Sequence, residues 1–254
     1  MSLTVRAEGP IAVLTVDRPA RRNALDLDTL DALGDAARAM QREGAVKAVV
    51  LTGSAAGGGF IAGGDLQVLH AVKSARGARA FAKRAHASVD ALRRLGVPLI
   101  AAVCGDAHGG GCELAAACDL RVVERQARFV WAQLNFAVTT GWGGAARLAQ
   151  TVSPGTAVRW LLSADPVSAD EAHAAGFADA LAAPGEGLAV ALAQAARFVR
   201  HDRHALRHML TLLRETPSRG PAAARALELE HFGRSWASPA HAEAVASFLA
   251  RRRG

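Results

Sequence analysis

Three consecutive glycines, Gly109-Gly110-Gly111, stand two residues ahead of Glu113. Glycine lets a backbone come close to a ligand because no Cβ intervenes. The residues that follow read as a helix, so its first N–H groups lack internal partners and its dipole is positive at that end. Such a turn can hold an oxyanion on backbone N–H groups, with a carboxylate beside it to move a proton. A plain strand-to-helix turn with an acidic first turn reads equally well from these residues alone.

Other residues could do chemistry. His108 directly precedes the triplet and could serve as an acid or base, or be a packed histidine. Asp106 has the same two readings. Trp142 and Phe136 could line an apolar pocket or belong to the core. A second glycine-rich loop, Gly53 to Leu66, contains Gly63-Gly64-Asp65. It fits neither the dinucleotide fingerprint GxGxxG nor a P-loop, since no Gly-Lys-Ser/Thr follows. His204 and His208 are four apart on a helical stretch, but they lack the glutamate of HExxH and a third ligand, so no metal centre is expected.

These residues need positioning elements. Leu3 to Ala7 and Ile11 to Val16 flank Glu8-Gly9-Pro10 and predict a β-hairpin. Asp28 is placed to cap a helix running to about Arg42, with Leu30, Leu33, Ala37 and Met40 on one face. Ala48 to Thr52, Leu99 to Val103, Leu120 to Val123 and Phe129 to Trp131 read as strands. Asp65 opens a short helix to about Lys73, and a longer one spans Ala78 to Leu95 before Gly96 and Pro98 stop it. Strand, glycine loop and helix thus occur twice in succession, which predicts parallel strands with crossover helices. Helices are expected at 143–149, 154–163 and 168–175, with a short strand over Asp179 to Leu181. From about residue 188 the chain reads as helix nearly to its end, so 184–187 is the candidate subdomain boundary.

The chain has 254 residues, 51% of them hydrophobic, which suits one large globular domain with a helical appendage. The net charge of +7 fits nucleic acid, an acidic membrane or a polyanionic small molecule, and does not choose among them. Cys104, Cys112 and Cys118 are odd in number and lack CxxC spacing, which argues for a reducing compartment. No signal-like or membrane-length apolar run is present. A cytoplasmic protein with no membrane association is expected.

Together these segments resemble the crotonase family, the enoyl-CoA hydratase/isomerase superfamily. The likeness rests on Arg18-Pro19 ahead of Asn23-Ala24-Leu25 and on Phe60 to Leu66, similar to F-x-A-G-x-D-L. It also rests on Gly109 to Ala115 with Cys118-Asp119-Leu120-Arg121, on Gly143 to Leu148, and on Ser168 to Phe177 with Asp179. Five segments in this order are specific for the family, though not for a reaction. The resemblance implies an α/β fold of repeated ββα units forming a twisted sheet core over residues 1–186. It implies a C-terminal helical region, 187–254, that serves trimerisation, giving a homotrimer or a dimer of trimers.

The resemblance further implies an acyl-CoA thioester as substrate, with CoA part of that substrate and no separate cofactor. The thioester oxygen would sit on the N–H groups of Gly64 and Gly110, each such donor contributing roughly 3 kcal/mol of transition-state stabilisation. Arg21, Arg22 and Ala24 lie in the loop that contacts CoA, and Ala62, Asp65 and Leu66 along its adenine and pantetheine side. His108 could face the acyl group and Trp142 line or back it, although ordinary packing accounts for both. An ordinary solvated loop accounts for the two arginines equally well.

Hydratases of this family carry two glutamates. Glu113 matches the first, but the position of the second is Gln133. An amide is not a useful proton donor or acceptor near neutral pH. The leading expectation is hydration of an enoyl-CoA with Glu113 as the main acid/base and Gln133 orienting water or substrate. A decarboxylase or thioester hydrolase using the same hole is the alternative. A non-catalytic acyl-CoA- or nucleic-acid-binding protein is a third, although Glu113 beside an intact hole favours chemistry and no nucleic-acid partner is expected.

Overall fold

A computed structural model describes residues 2–251. The chain opens with a hairpin, β1 (Leu3–Glu8) and β2 (Ile11–Val16), then α1 (Leu27–Glu43) and β3 (Ala48–Gly53). Next come α2 (Leu66–Leu69), α3 (Ala75–Arg94), β4 (Leu99–Val103), β5 (Ala107–His108) and α4 (Gly110–Ala117). They are followed by β6 (Leu120–Glu124), β7 (Arg128–Val130), α5 (Gly144–Thr151), α6 (Pro154–Ser163), β8 (Val167–Ser168), α7 (Ala169–Ala174) and β9 (Ala180–Ala182). Four helices finish the described chain: α8 (Gly187–Val199), α9 (Arg203–Glu215), α10 (Pro221–Trp236) and α11 (Pro239–Arg251).

The large sheet has the order β1-β2-β3-β4-β6-β9, antiparallel only between β1 and β2. A smaller sheet joins β5, β7 and β8. Isolated parallel bridges link Leu25 to Gly64 and Ile61 to Ala107. Each turn of the chain therefore gives one strand to the large sheet and one short segment to a second ladder. A helix then leads to the next turn. This is the repeated ββα arrangement, and it stacks the two glycine loops side by side.

Strand alternation divides the core. Leu14, Val49, Leu51, Leu99, Ala101 and Val103 face the helices of the main core, with Leu30, Leu33, Ala37, Val89 and Leu92. Val13, Ala48, Val50, Ile100, Ala102 and Val122 face the other way and are covered by Ala191 and Ala195 of α8. Buried Glu124 accepts the Gly187 N–H at 2.9 Å and fixes the start of α8 on the sheet. The boundary read at 184–187 is thus a change of secondary structure, whereas the packing of the core continues through α8.

Two local expectations need correction. Asp26, not Asp28, caps α1: its carboxylate accepts from Thr29 N at 2.8 Å and from Thr29 Oγ1 at 2.6 Å. Arg18 holds Asp26 in place at 2.7 Å, a tertiary contact that selects between the two acids. The helix capped by Asp65 ends at Leu69, well short of Lys73, and α3 starts at Ala75 because Ser74 caps it.

Toward the end, Arg214 of α9 grips both carboxylate oxygens of Asp119, with Nε to Oδ1 at 2.8 Å, and also reaches the Arg93 carbonyl. His208 of α9 meets His231 of α10, Nδ1 to Nδ1, at 2.6 Å. Leu229, Phe232 and Trp236 on α10 are exposed. Among the described residues no helix is long and apolar enough to cross a membrane.

Candidate active site

Gly109 enters α4 with φ of +48°, a conformation that favours glycine, and no side chain caps the helix. Its own N–H goes to Val130 O at 2.8 Å, and its carbonyl accepts Glu113 N at 3.1 Å. The Gly110 N–H is left without a protein acceptor among the described residues. Gly63 has φ of +92°. The parallel bridge uses the Gly63 carbonyl, which accepts Leu25 N at 2.7 Å, and Asp65 N, which donates to Leu25 O at 2.9 Å. Gly64 N–H, between them, also has no acceptor among the described residues.

The two loops touch. Phe60 N donates to Asp106 O at 3.1 Å and His108 N to Ile61 O at 3.0 Å. A methyl group on Gly63 would come within 3.2 Å of Gly110 N, and one on Gly111 within 2.0 Å of Ile61 O. Small residues here are a packing requirement. They let the Gly63–Gly64 backbone approach Gly110, so the two N–H groups without acceptors lie on adjoining loops.

Glu113 is buried, and four donors converge on its carboxylate. Gly141 N at 3.2 Å and Gln133 Nε2 at 3.0 Å donate to Oε1; Trp142 N at 2.7 Å and Gly144 N at 2.8 Å donate to Oε2. Three of these are backbone amides leading into α5, whose N-cap Gly143 has φ of +87°. An acceptor-only group is what such a ring of donors suits. The Gln133 amide is thereby oriented, Nε2 toward the acid, and its Oε1 is buried without a partner.

The resemblance drew attention to the Gly143-Gly144 segment but assigned it no role. Gly141 and Gly144 are the residues that reading missed. A methyl on Gly144 would lie 2.4 Å from Glu113 Cγ. The glycine cluster at 141–144 was the available signal. Arg18 and Asn23 were also missed. Buried Asn23 donates to the carbonyls of Ser54 and Gly59, both at 3.0 Å, and accepts from Arg18 N at 3.1 Å. It thus pins both ends of the loop that leads to Gly64.

The remaining predicted residues separate by environment. Arg21 and Arg22 are exposed, and Ala62 N donates to Arg22 O at 3.2 Å, so their loop borders the Gly64 segment. Ala24 is buried beside the Leu25–Gly64 bridge, while Leu66 is exposed. The side chain of Asp65 turns inward: it caps α2 through Gln67 N at 3.1 Å and pairs with Arg18 at 3.1 Å. Its carboxylate links the α2 cap to Arg18 and is nearly fully buried. Asp106 pairs with Arg128 at 3.0 Å. His108 has a buried Nε2 without a partner, and burial lowers its pKa against the opposing pull of Asp106. Phe136 is exposed, whereas Trp142 is 5% exposed and its ring lies over Gly110.

The family described as "Enoyl-CoA hydratase/isomerase" matches residues 6–254. The chain is 33% identical to a crotonyl-CoA hydratase of Syntrophomonas wolfei, over 99% of this chain and 96% of that one. It is 32% identical to a short-chain-enoyl-CoA hydratase of Clostridium acetobutylicum, over the same shares. A crystal structure of an enoyl-CoA hydratase from Mycobacterium smegmatis superposes with a TM-score of 0.92 at 30% identity, covering 99% of this chain and 97% of the other. With the family model matched over residues 6–254 and these relatives aligned along 99% of its length, this chain belongs to the enoyl-CoA hydratase/isomerase family.

Proposed function

We propose that the chain hydrates the double bond of a short enoyl-CoA thioester. The observation that carries this reading is the pair of free N–H groups, Gly64 and Gly110, beside the buried Glu113 carboxylate. The thioester oxygen accepts both N–H groups and takes up charge as water attacks Cβ. Glu113 removes a proton from that water as the C–O bond forms. The electrons of the double bond pass to the thioester oxygen as an enolate. Glu113 then returns the proton to Cα, so the net change is addition of one water. The open Gln133 Oε1 accepts the second O–H of the water and aims it. To take a proton, a Glu113 oxygen must release a donor, and the longest contact, from Gly141 N, is the one that yields. The exposed Arg21 and Arg22 suit the phosphates of CoA, which enters as part of the substrate, with no further cofactor required. The named substrates of the two relatives support a short acyl group.

A second reading rests on one observation: all four Glu113 contacts are already donors and Gln133 is neutral, so the oxyanion hole alone is ready for use. A decarboxylation needs little more. One assay separates the two. Purified protein is expected to remove the conjugated-thioester absorbance of crotonyl-CoA, and Glu113→Gln to slow this about 10³-fold. Absence of that loss, with carbon dioxide released from malonyl-CoA, would replace hydration by decarboxylation.

A further inference from the structure

Trp142 belongs to both halves of the site. Its backbone N–H donates to Glu113 Oε2 at 2.7 Å. Its ring lies against the glycines of the oxyanion hole. A methyl on Gly110 would fall 2.3 Å from Cζ3 and 2.5 Å from Cη2, and one on Gly64 would fall 3.7 Å from Cζ2. The benzo edge of the indole therefore covers the backbone that carries both free N–H groups.

The residue is also held. Arg147 Nη1 donates to its carbonyl at 2.6 Å, and Phe81 packs on its ring with centroids 6.1 Å apart. The indole is nearly fully buried. Leu69 closes the Gly64 side, its Cδ1 only 2.7 Å from where a methyl would sit.

The reacting Cα and Cβ must lie between the hole and Glu113. Trp142 touches the first through its ring and the second through its N–H, so the chain beyond Cβ leaves the site past this residue. We propose that the Trp142 indole, wedged over Gly64 and Gly110, is the wall that restricts this enzyme to short acyl groups. The inference rests on the acyl-CoA reading of the site. A thin, planar enoyl group passes along the face of the ring. A longer chain must displace a buried indole held at its backbone on both sides.

Affinity for saturated acyl-CoAs tests this without turnover. A chain free to bury its methylenes gains about fourfold in affinity per CH₂. The wild-type protein is expected to bind octanoyl-CoA no more tightly than butyryl-CoA by calorimetry. Trp142→Ala is expected to shift the octanoyl-to-butyryl affinity ratio at least tenfold toward octanoyl. Trp142→Phe, which keeps an aromatic ring, should fall between them and carries the test if the alanine variant does not fold. A ratio unchanged within twofold in the variants, or a wild type that already prefers octanoyl-CoA, overturns the wall. Failure to hydrate crotonyl-CoA despite a shifted ratio would overturn the hydratase reading and leave the wall standing.

Discussion

The helices α4 and α5 start alike and end up doing opposite things. Each has eight residues, follows a glycine with positive φ, and lacks a side-chain cap. At α4 the first N–H, from Gly110, faces no protein acceptor among the described residues. At α5 the N–H groups of Trp142 and Gly144 both end on Glu113, a side chain that α4 itself supplies. A glycine run ahead of a helix therefore says only that the N–H groups can be approached. Whether they serve a ligand or the protein's own acid depends on which buried side chain reaches them. Here one helix start is kept open by sending its acid to occupy the other.

The comparison breaks first at Gly144. If α5 exists to hold Glu113, a methyl at that position must push the carboxylate off its donors. Gly144→Ala is expected to lower kcat for crotonyl-CoA about 100-fold and to destabilise the fold by about 1–3 kcal/mol through overpacking. Gly155→Ala, also in the first turn of a helix but with nothing within 4 Å of the added methyl, is the control and should match the wild type in both. Equal effects at the two positions would mean that Glu113 does not depend on α5. Turnover and urea denaturation give the two readings.

Much of this contrast was legible in the residues, and the part that was not has a physical reason. The apolar strands 48–53 and 99–103 stand out because β-branched and small apolar runs are bounded by glycine and proline. The helices after them follow from spacing. The two-residue strands β5 and β8 are too short to carry any period and exist only through their partners. Asp26-Leu27-Asp28 offers two caps for α1, and Arg18, which precedes them in the chain and pairs with Asp26, decides between them. Gly64 and Gly110 were found as a pair through resemblance. The role of Gly141 and Gly144 was not, because which N–H meets which acid is settled by the stacking of turns. The apolar residues of α8 likewise carry no label saying which face of the sheet they cover.

The middle-sized effect concerns Gln133. Gln133→Glu would put a second carboxylate where an amide now donates to Glu113 at 3.0 Å. Two acids at that distance share one proton, and the shared proton is held at higher pH than either would hold it alone. The variant then has an acid as well as a base, and hydration should speed up about tenfold at mildly acidic pH. The rate advantage of the variant should shrink toward alkaline pH, where the two carboxylates repel each other. A variant slower at every pH would show that the amide contact itself, and not its neutrality, is what Glu113 requires.

The smallest effect lies beside the open helix start. His108 precedes the Gly109–Gly111 turn, its Nε2 is buried without a partner, and its charged neighbours are Asp106, Arg22 and Arg128. Burial lowers its pKa below the ordinary 6.5, and the two arginines act in the same direction, while Asp106 opposes them. The unfolded chain therefore binds the proton more readily than the folded one as pH falls through 6.5. Stability is unaffected above that pH and decreases below it, down to the lowered folded value. His108→Leu removes the titrating ring, so between about pH 7 and pH 5 the wild-type Tm should drop about 2 °C more than that of the variant. Parallel curves would mean that the imidazole titrates in the folded protein as it does in the unfolded one, with Asp106 offsetting burial and the arginines. In that case the open start of α4 would gain a cation beside it as pH falls, and the contrast with α5 would be electrostatic as well as geometric.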